Sequence, residues 1–157
     1  MVISDSPRSR RRAHGHHWGR VRHHAVAVAR ARGADLLVAE LFAFLHDSQR
    51  EDEWGDPHHG HRGADYARSL QGVFFELKPA QLDRLAQAIR HHSGGEVSTD
   101  VTIQSCWDAD RLDLGRVGIR PRADRLCTDA ARALMPWAQR RAEGDHRVEE
   151  VLQCWGW

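Results

Sequence analysis

His46 and Asp47 stand side by side at the end of the apolar run LLVAELFAFL, positions 36–45. A neutral imidazole and a carboxylate held together by a buried helix can both bind one divalent cation. Further donors lie on either side of the pair: His17 upstream, then His59, His91, His92 and Asp110 downstream. None is a cysteine, so the set offers nitrogen and oxygen only. Imidazoles with carboxylates suit Mn, Fe, Co, Ni or Zn in an open site better than a structural zinc, and Mg stays within range. An open site leaves room for water and substrate, and a cation there acidifies water and offsets charge on a phosphoryl oxygen. The constellation points to hydrolysis.

Periodicity says which of these groups should face inward. Ile103, Trp107, Asp110 and Leu114 are spaced i, i+4, i+7 and i+11, which is one face of a helix. Asp110 is thus expected in the core, where an unpaired carboxylate is costly and needs an arginine, a cap or a metal. Asp108 lies roughly 160° around the helix by the same arithmetic and should be the solvated member of the Asp108-Ala109-Asp110 group. Asp113 falls nearer the inward face, as a supporting residue. His92 follows Ile89 by three and Leu85 by seven, and His17 precedes Val21 by one turn, so both fall on apolar lines. Any one such histidine is more often a satisfied core residue than a ligand. Histidine, His-Asp, histidine and aspartate at inward positions on separate helices favour a metal site.

The elements that must position these groups read as helices throughout, and the expected fold class is all-α. Segment 17–32 carries Val21, Ala25 and Val28 on one face and ends at Gly33. Asp35 can cap the next helix, with Leu37, Leu41, Phe44 and Leu45 as its apolar stripe. Residues 48–57 form a polar loop. Asp56-Pro57 then resembles an N-cap with proline at N1, opening a helix from about 57 to 71. Pro79 opens another to about His92, and Ser93-Gly94-Gly95 stops it. A helix over roughly 99–114 is capped by Ser98 or Thr99. Thr128 or Asp129 starts a further one with Pro136 inside it, and 144–157 adds a short final helix. No segment shows the strict alternation of a strand.

The chain has 157 residues, 41% hydrophobic and 29% charged, which suits one globular domain with a real core. No apolar run approaches the ~20 residues of a membrane span, and no apolar region follows the N-terminal arginines as in a secretory signal. Cys106, Cys127 and Cys154 are an odd count without CxxC spacing, as in reduced thiols of a cytoplasmic protein. Arg8, Arg10, Arg11 and Arg12 against Asp5 give residues 1–13 the character of a disordered basic tail. One four-arginine cluster is weak ground for a nucleic-acid partner. Among the 12 histidines, the tract His14-Gly15-His16-His17 would bind nickel on a column without further meaning.

Five segments together resemble the HD-domain superfamily of metal-dependent phosphohydrolases: His17-Trp18-Gly19-Arg20-Val21, Leu45-His46-Asp47, Asp56-Pro57-His58-His59-Gly60, Ile89-Arg90-His91-His92, and Trp107-Asp108-Ala109-Asp110-Arg111-Leu112-Asp113. The resemblance covers about residues 14–130 of a single domain over 14–157. It implies a compact multi-helix bundle with the metal site between core helices. It also implies His17, His46, Asp47 and Asp110 as ligands of the principal metal. Two-metal members add histidines between the doublet and the last Asp; here His59 and one of His91 or His92 could serve, with Asp47 bridging, so one ion or two remain open.

There is no Gly-Tyr-Pro segment after the doublet, unlike one cyclic-dinucleotide phosphodiesterase branch. Ala13 stands where three-metal members place an acid. With no nuclease or nucleotide-synthetase domain attached, the expectation is a small stand-alone HD protein. It would hydrolyse a phosphate ester or phosphoanhydride of a nucleotide or similar small metabolite through metal-activated water. Asp47 would steer or deprotonate that water, and Arg20, Arg50 and Arg111 would bind substrate phosphate. Two alternatives stand beside it: a two-iron HD-fold oxygenase and a non-catalytic, metal-stabilised interaction module. Trp155 and Trp157 leave a homodimer contact and plain core packing both open.

Overall fold

A computed structural model describes the backbone over residues 7–52 and 54–143, and side chains over 15–52 and 54–142. Six helices follow in order: α1 (Pro7–Arg32), α2 (Leu36–Leu45), α3 (His59–Leu70), α4 (Pro79–His91), α5 (Val101–Leu112) and α6 (Asp129–Glu143). Two short 3-10 turns, Leu114–Val117 and Ala123–Arg125, join α5 to α6. Among the described residues there is no strand, only an isolated bridge between Gln71 and Phe75. The architecture is all-α. Among the same residues no helix is long and apolar enough to cross a membrane. The final helix expected over 144–157, with Trp155 and Trp157, lies outside the described residues.

Helix α1 starts at Pro7, inside the segment that composition reads as a tail. Proline fits a first turn, arginine and alanine are good helix formers, and extending an existing helix is far easier than nucleating one. The helix stops at Gly33, whose φ of 66° suits glycine. Asp35 then caps α2 as expected, its carboxylate accepting the Val38 N–H at 3.2 Å.

Three local expectations are overturned. In α2 the buried face is Val38, Ala39, Phe42 and Ala43, while Leu37 and Phe44 are exposed. A helix that is apolar on nearly every side gives periodicity no face to choose. Asp56 does not cap α3: the helix begins at His59, and the Asp56 carboxylate instead accepts the Glu51 N–H and the Arg62 guanidinium. Asp100, rather than Ser98 or Thr99, caps α5 by accepting from the N–H groups of Thr102 and Ile103.

Helix α5 lies at the centre, packed against α1, α2, α4 and α6. Its Trp107 donates an indole hydrogen bond to the Ala88 carbonyl at 2.9 Å, which ties it to α4. The main core joins Val21 and Ala25 of α1, Val38 and Phe42 of α2, Leu85 and Ile89 of α4, and Ile103 of α5. Each large side chain so buried contributes about 1.5–3 kcal/mol. A smaller cluster under α6 holds Val28, Leu112, Leu126, Ala131 and Ala138.

Helix α3 comes close to α4 and α2 because two of its residues lack side chains. A Cβ on Gly60 would lie 2.6 Å from the Arg90 carbonyl oxygen, and one on Gly63 would lie 3.2 Å from that of His46. Gly60→Ala must therefore push α3 away from α4, and overpacking of this kind costs about 1–3 kcal/mol. Denaturant unfolding is expected to show that loss, and an unchanged midpoint would contradict the close approach.

Candidate metal centre

Four imidazoles converge between α1, the end of α2, the start of α3 and the end of α4. Each is anchored through Nδ1. His17 bonds Asp113 at 2.7 Å, His46 the carbonyls of Phe42 and Ala43 at 3.1 Å, His59 the Asp56 carbonyl at 2.5 Å, and His92 the Ile89 carbonyl at 2.6 Å. Carbonyls and carboxylates only accept, so each Nδ1 carries the proton and each Nε2 presents a lone pair. Phe42 stacks on the His46 ring with centroids 4.9 Å apart, one helical turn below it. The burial of all four rings fixes these orientations.

Those lone pairs meet in two groups. His17 Nε2 and His46 Nε2 are 3.2 Å apart, with Asp47 Oδ2 at 3.6 and 3.7 Å and Asp110 Oδ1 at 3.6 and 3.5 Å. His59 Nε2 and His92 Nε2 are 3.0 Å apart, with Asp47 Oδ1 at 3.4 and 3.2 Å. The two oxygens of Asp47 thus serve different groups. Two neutral imidazoles whose protons sit on Nδ1 cannot hydrogen-bond through facing Nε2 atoms, so each pair requires a positive charge between its members. A proton can supply it, and a divalent cation fits the donor set better. The buried groups His17–His46–Asp47 and Asp47–His59–His92 could each hold a metal ion.

The electrostatics agree. Burial alone would raise the Asp47 carboxyl, but the imidazoles around it, His46 first and then His17 and His92, hold it well below the usual range. Asp110 is likewise held low against its burial by His46, with His92 and His17 adding to the effect. In His46, burial pulls the imidazole pKa down, yet Asp47 and Asp110 more than reverse it. Both carboxylates thus stay ionised beside the imidazoles.

Its surroundings separate residues that spacing alone could not. His92 lies in the second group, whereas His91 is exposed, its ring 6.5 Å from that of His61. Asp113 is fully buried behind His17 and also receives Arg20, Nε at 2.6 Å and a terminal nitrogen at 3.1 Å. Arg50 donates to Asp47 Oδ1 at 3.0 Å and meets His59 Nε2 at 2.9 Å.

Arg111 is turned to other partners. It bonds the carbonyls of Arg125 and Glu96 and lies over the Trp107 ring, which ties two loops to α5. Asp108 corrects the expectation of a solvated carboxylate. It is fully buried and accepts from the Cys127 and Thr128 N–H groups and the Thr128 hydroxyl, which fixes the approach to α6. Helix α5 is enclosed on several sides, so its far face is not a solvent face.

Sequence reasoning missed Arg116. It lies one 3-10 turn beyond Asp113, with guanidinium nitrogens 4.0 Å from Asp47 Oδ2 and 3.8 Å from Asp113 Oδ2. The most exposed side chains here are Asp110 at 18%, Arg50 at 15% and Arg116 at 21%, so the cluster opens on that side.

This helical bundle, with its His/Asp cluster between core helices, fits an HD domain. The crystal structure of a predicted HD superfamily hydrolase from an uncultured Thermotogales bacterium is similar to it. The two are 29% identical, the match covers 88% of this chain and 77% of that one, and the TM-score is 0.61. No protein-family model matches the sequence, and a comparison with curated proteins finds no match.

Proposed function

We propose that the protein is a metal-dependent phosphohydrolase acting on a phosphate ester or phosphoanhydride of a nucleotide or similar small metabolite. The observation that carries this is the pair of buried Nε2 groups joined by the two oxygens of Asp47. His17, His46, Asp47 and Asp110 would hold one divalent cation, and Asp47, His59 and His92 a second. Such cations acidify bound water and offset charge on the phosphoryl oxygens.

The chain's own residues supply the rest. Asp47 would orient a water and accept its proton. Asp113 and Arg20 hold His17 in its tautomer from behind, an orienting role that binding of substrate does not require. Arg50, now bonded to Asp47 and His59, would give up those bonds to a cation and face an anionic substrate. The similarity to a predicted HD superfamily hydrolase supports a hydrolase in general.

Metal content and phosphate release from a nucleotide panel test this, with added Mn²⁺, Co²⁺, Ni²⁺ or Mg²⁺, on wild type and a His46→Ala/Asp47→Ala double variant. Turnover in the wild type alone is the expected result. Iron with oxygen consumption would replace the reading with the oxygenase, and bound metal with neither activity would favour the interaction module.

A further inference from the structure

Three exposed imidazoles gather outside the metal centre, where α3 runs closest to α4. Gly60 sets that approach, since a Cβ there would lie 2.6 Å from the Arg90 carbonyl oxygen. His61 and His91, the residues that follow those two positions, are neighbours with ring centroids 6.5 Å apart. His58 stands three residues before His61, the spacing of one helical face, and its ring centroid is 6.3 Å from that of His61.

Local structure gives these rings no other task. His58 occupies the N-cap position of α3 without a side-chain cap hydrogen bond. The nearest carboxylates along α3 are engaged by arginines: Asp65, one turn beyond His61, pairs with Arg90 at 3.3 Å, and Asp56 with Arg62 at 2.5 Å. The group therefore offers imidazole nitrogen alone.

Its spacing is close to what a shared cation needs. In the metal centre the paired rings His17–His46 and His59–His92 have centroids 5.2 and 4.8 Å apart. A tetrahedral cation about 2.0–2.1 Å from each donor nitrogen also places two ring centroids about 5 Å apart. The outer rings must close by roughly 1–2 Å, which rotation of exposed side chains supplies.

Donor type then selects the cation. The inner groups combine imidazole with the carboxylates of Asp47 and Asp110, which also suit Mn and Mg. Imidazole without carboxylate favours Ni, Cu and Zn, and affinity for Mn falls furthest along that order. We propose that His58, His61 and His91 form a separate surface site for Ni²⁺, Cu²⁺ or Zn²⁺. It stands independently of the hydrolase reading above. A cation there would clamp the start of α3 to the end of α4, the same helix ends that carry His59 and His92.

The test is nickel and manganese uptake by untagged protein, followed by calorimetry with metal analysis at saturation. Wild type, His61→Ala and a His14→Ala/His16→Ala variant are compared, the last because the N-terminal histidine tract can also take nickel. His61→Ala is expected to lose one nickel equivalent and to keep the wild-type manganese content and melting temperature. The tract variant should keep the equivalent that depends on His61. His58→Ala and His91→Ala should each weaken that equivalent at least about 10-fold. Nickel uptake that is unchanged in His61→Ala, or that ignores both His58 and His91, overturns the site. So does a parallel loss of manganese in His61→Ala, which would place its effect on the inner centre.

Discussion

On the proposed two-cation reading, Asp47→Ala is expected to strip both cations from the protein and reduce turnover by about a thousandfold or more. The reason lies in the division of its oxygens, Oδ2 toward His17 and His46, Oδ1 toward His59 and His92. Without the carboxylate, the second group keeps two imidazoles and no charge, and the first keeps its two imidazoles with Asp110 alone. Asp110→Ala is the informative contrast. Asp110 lies beside the first pair only, so its loss should empty that group and spare the second. Metal analysis of the two purified variants reads the difference directly. Two equivalents retained by Asp47→Ala, or both lost in Asp110→Ala, would show that the bridging arrangement is wrong.

What could be read from the chain depended on how much of each helix faces solvent. Helix α4 is amphipathic, and the inward line through Leu85 and Ile89 extends to His92. Yet His91 is adjacent to it at a helix end, where periodicity separates neighbours poorly. Helix α5 buries residues on most of its circumference, from Thr102 to Leu112, so the inference from Asp110 inward to Asp108 outward fails. What places Asp108 is the chain returning at Cys127 and Thr128, twenty residues on, a contact invisible to local spacing. In α2 the uninterrupted apolar run hides which side meets α4 and α5.

Arg116 gave no signal for a different reason. It sits in a 3-10 turn without periodicity, one of 23 lysines and arginines, and only folding brings it beside Asp47. The histidines and the doublet were legible because their chemistry is rare, whereas an arginine's purpose is set by its neighbours.

Arg20 shows how that ambiguity can be resolved by experiment. As a substrate contact, its loss would raise KM and leave stability unchanged. Its geometry argues otherwise, since it is buried and forks onto Asp113 through two nitrogens. Arg20→Ala would leave the buried Asp113 with His17 and the longer 3.8 Å approach of Arg116, and breaking one side of a buried pair costs about 3–5 kcal/mol.

The pH dependence separates this from a general packing loss. Burial alone would raise the Asp113 carboxyl, but His17 and Arg20 hold it below the ordinary range. Its stabilisation is therefore present above the unfolded carboxylate pKa of about 3.9 and is lost as pH falls. Without Arg20 the folded pKa rises and the variant has less to lose. Denaturant unfolding of the metal-free proteins should thus show a deficit of a few kcal/mol at pH 7 that narrows as the pH falls below about 4. A deficit that stays constant with pH would mean that Arg20 contributes packing alone. Unchanged stability with raised KM would return it to the substrate.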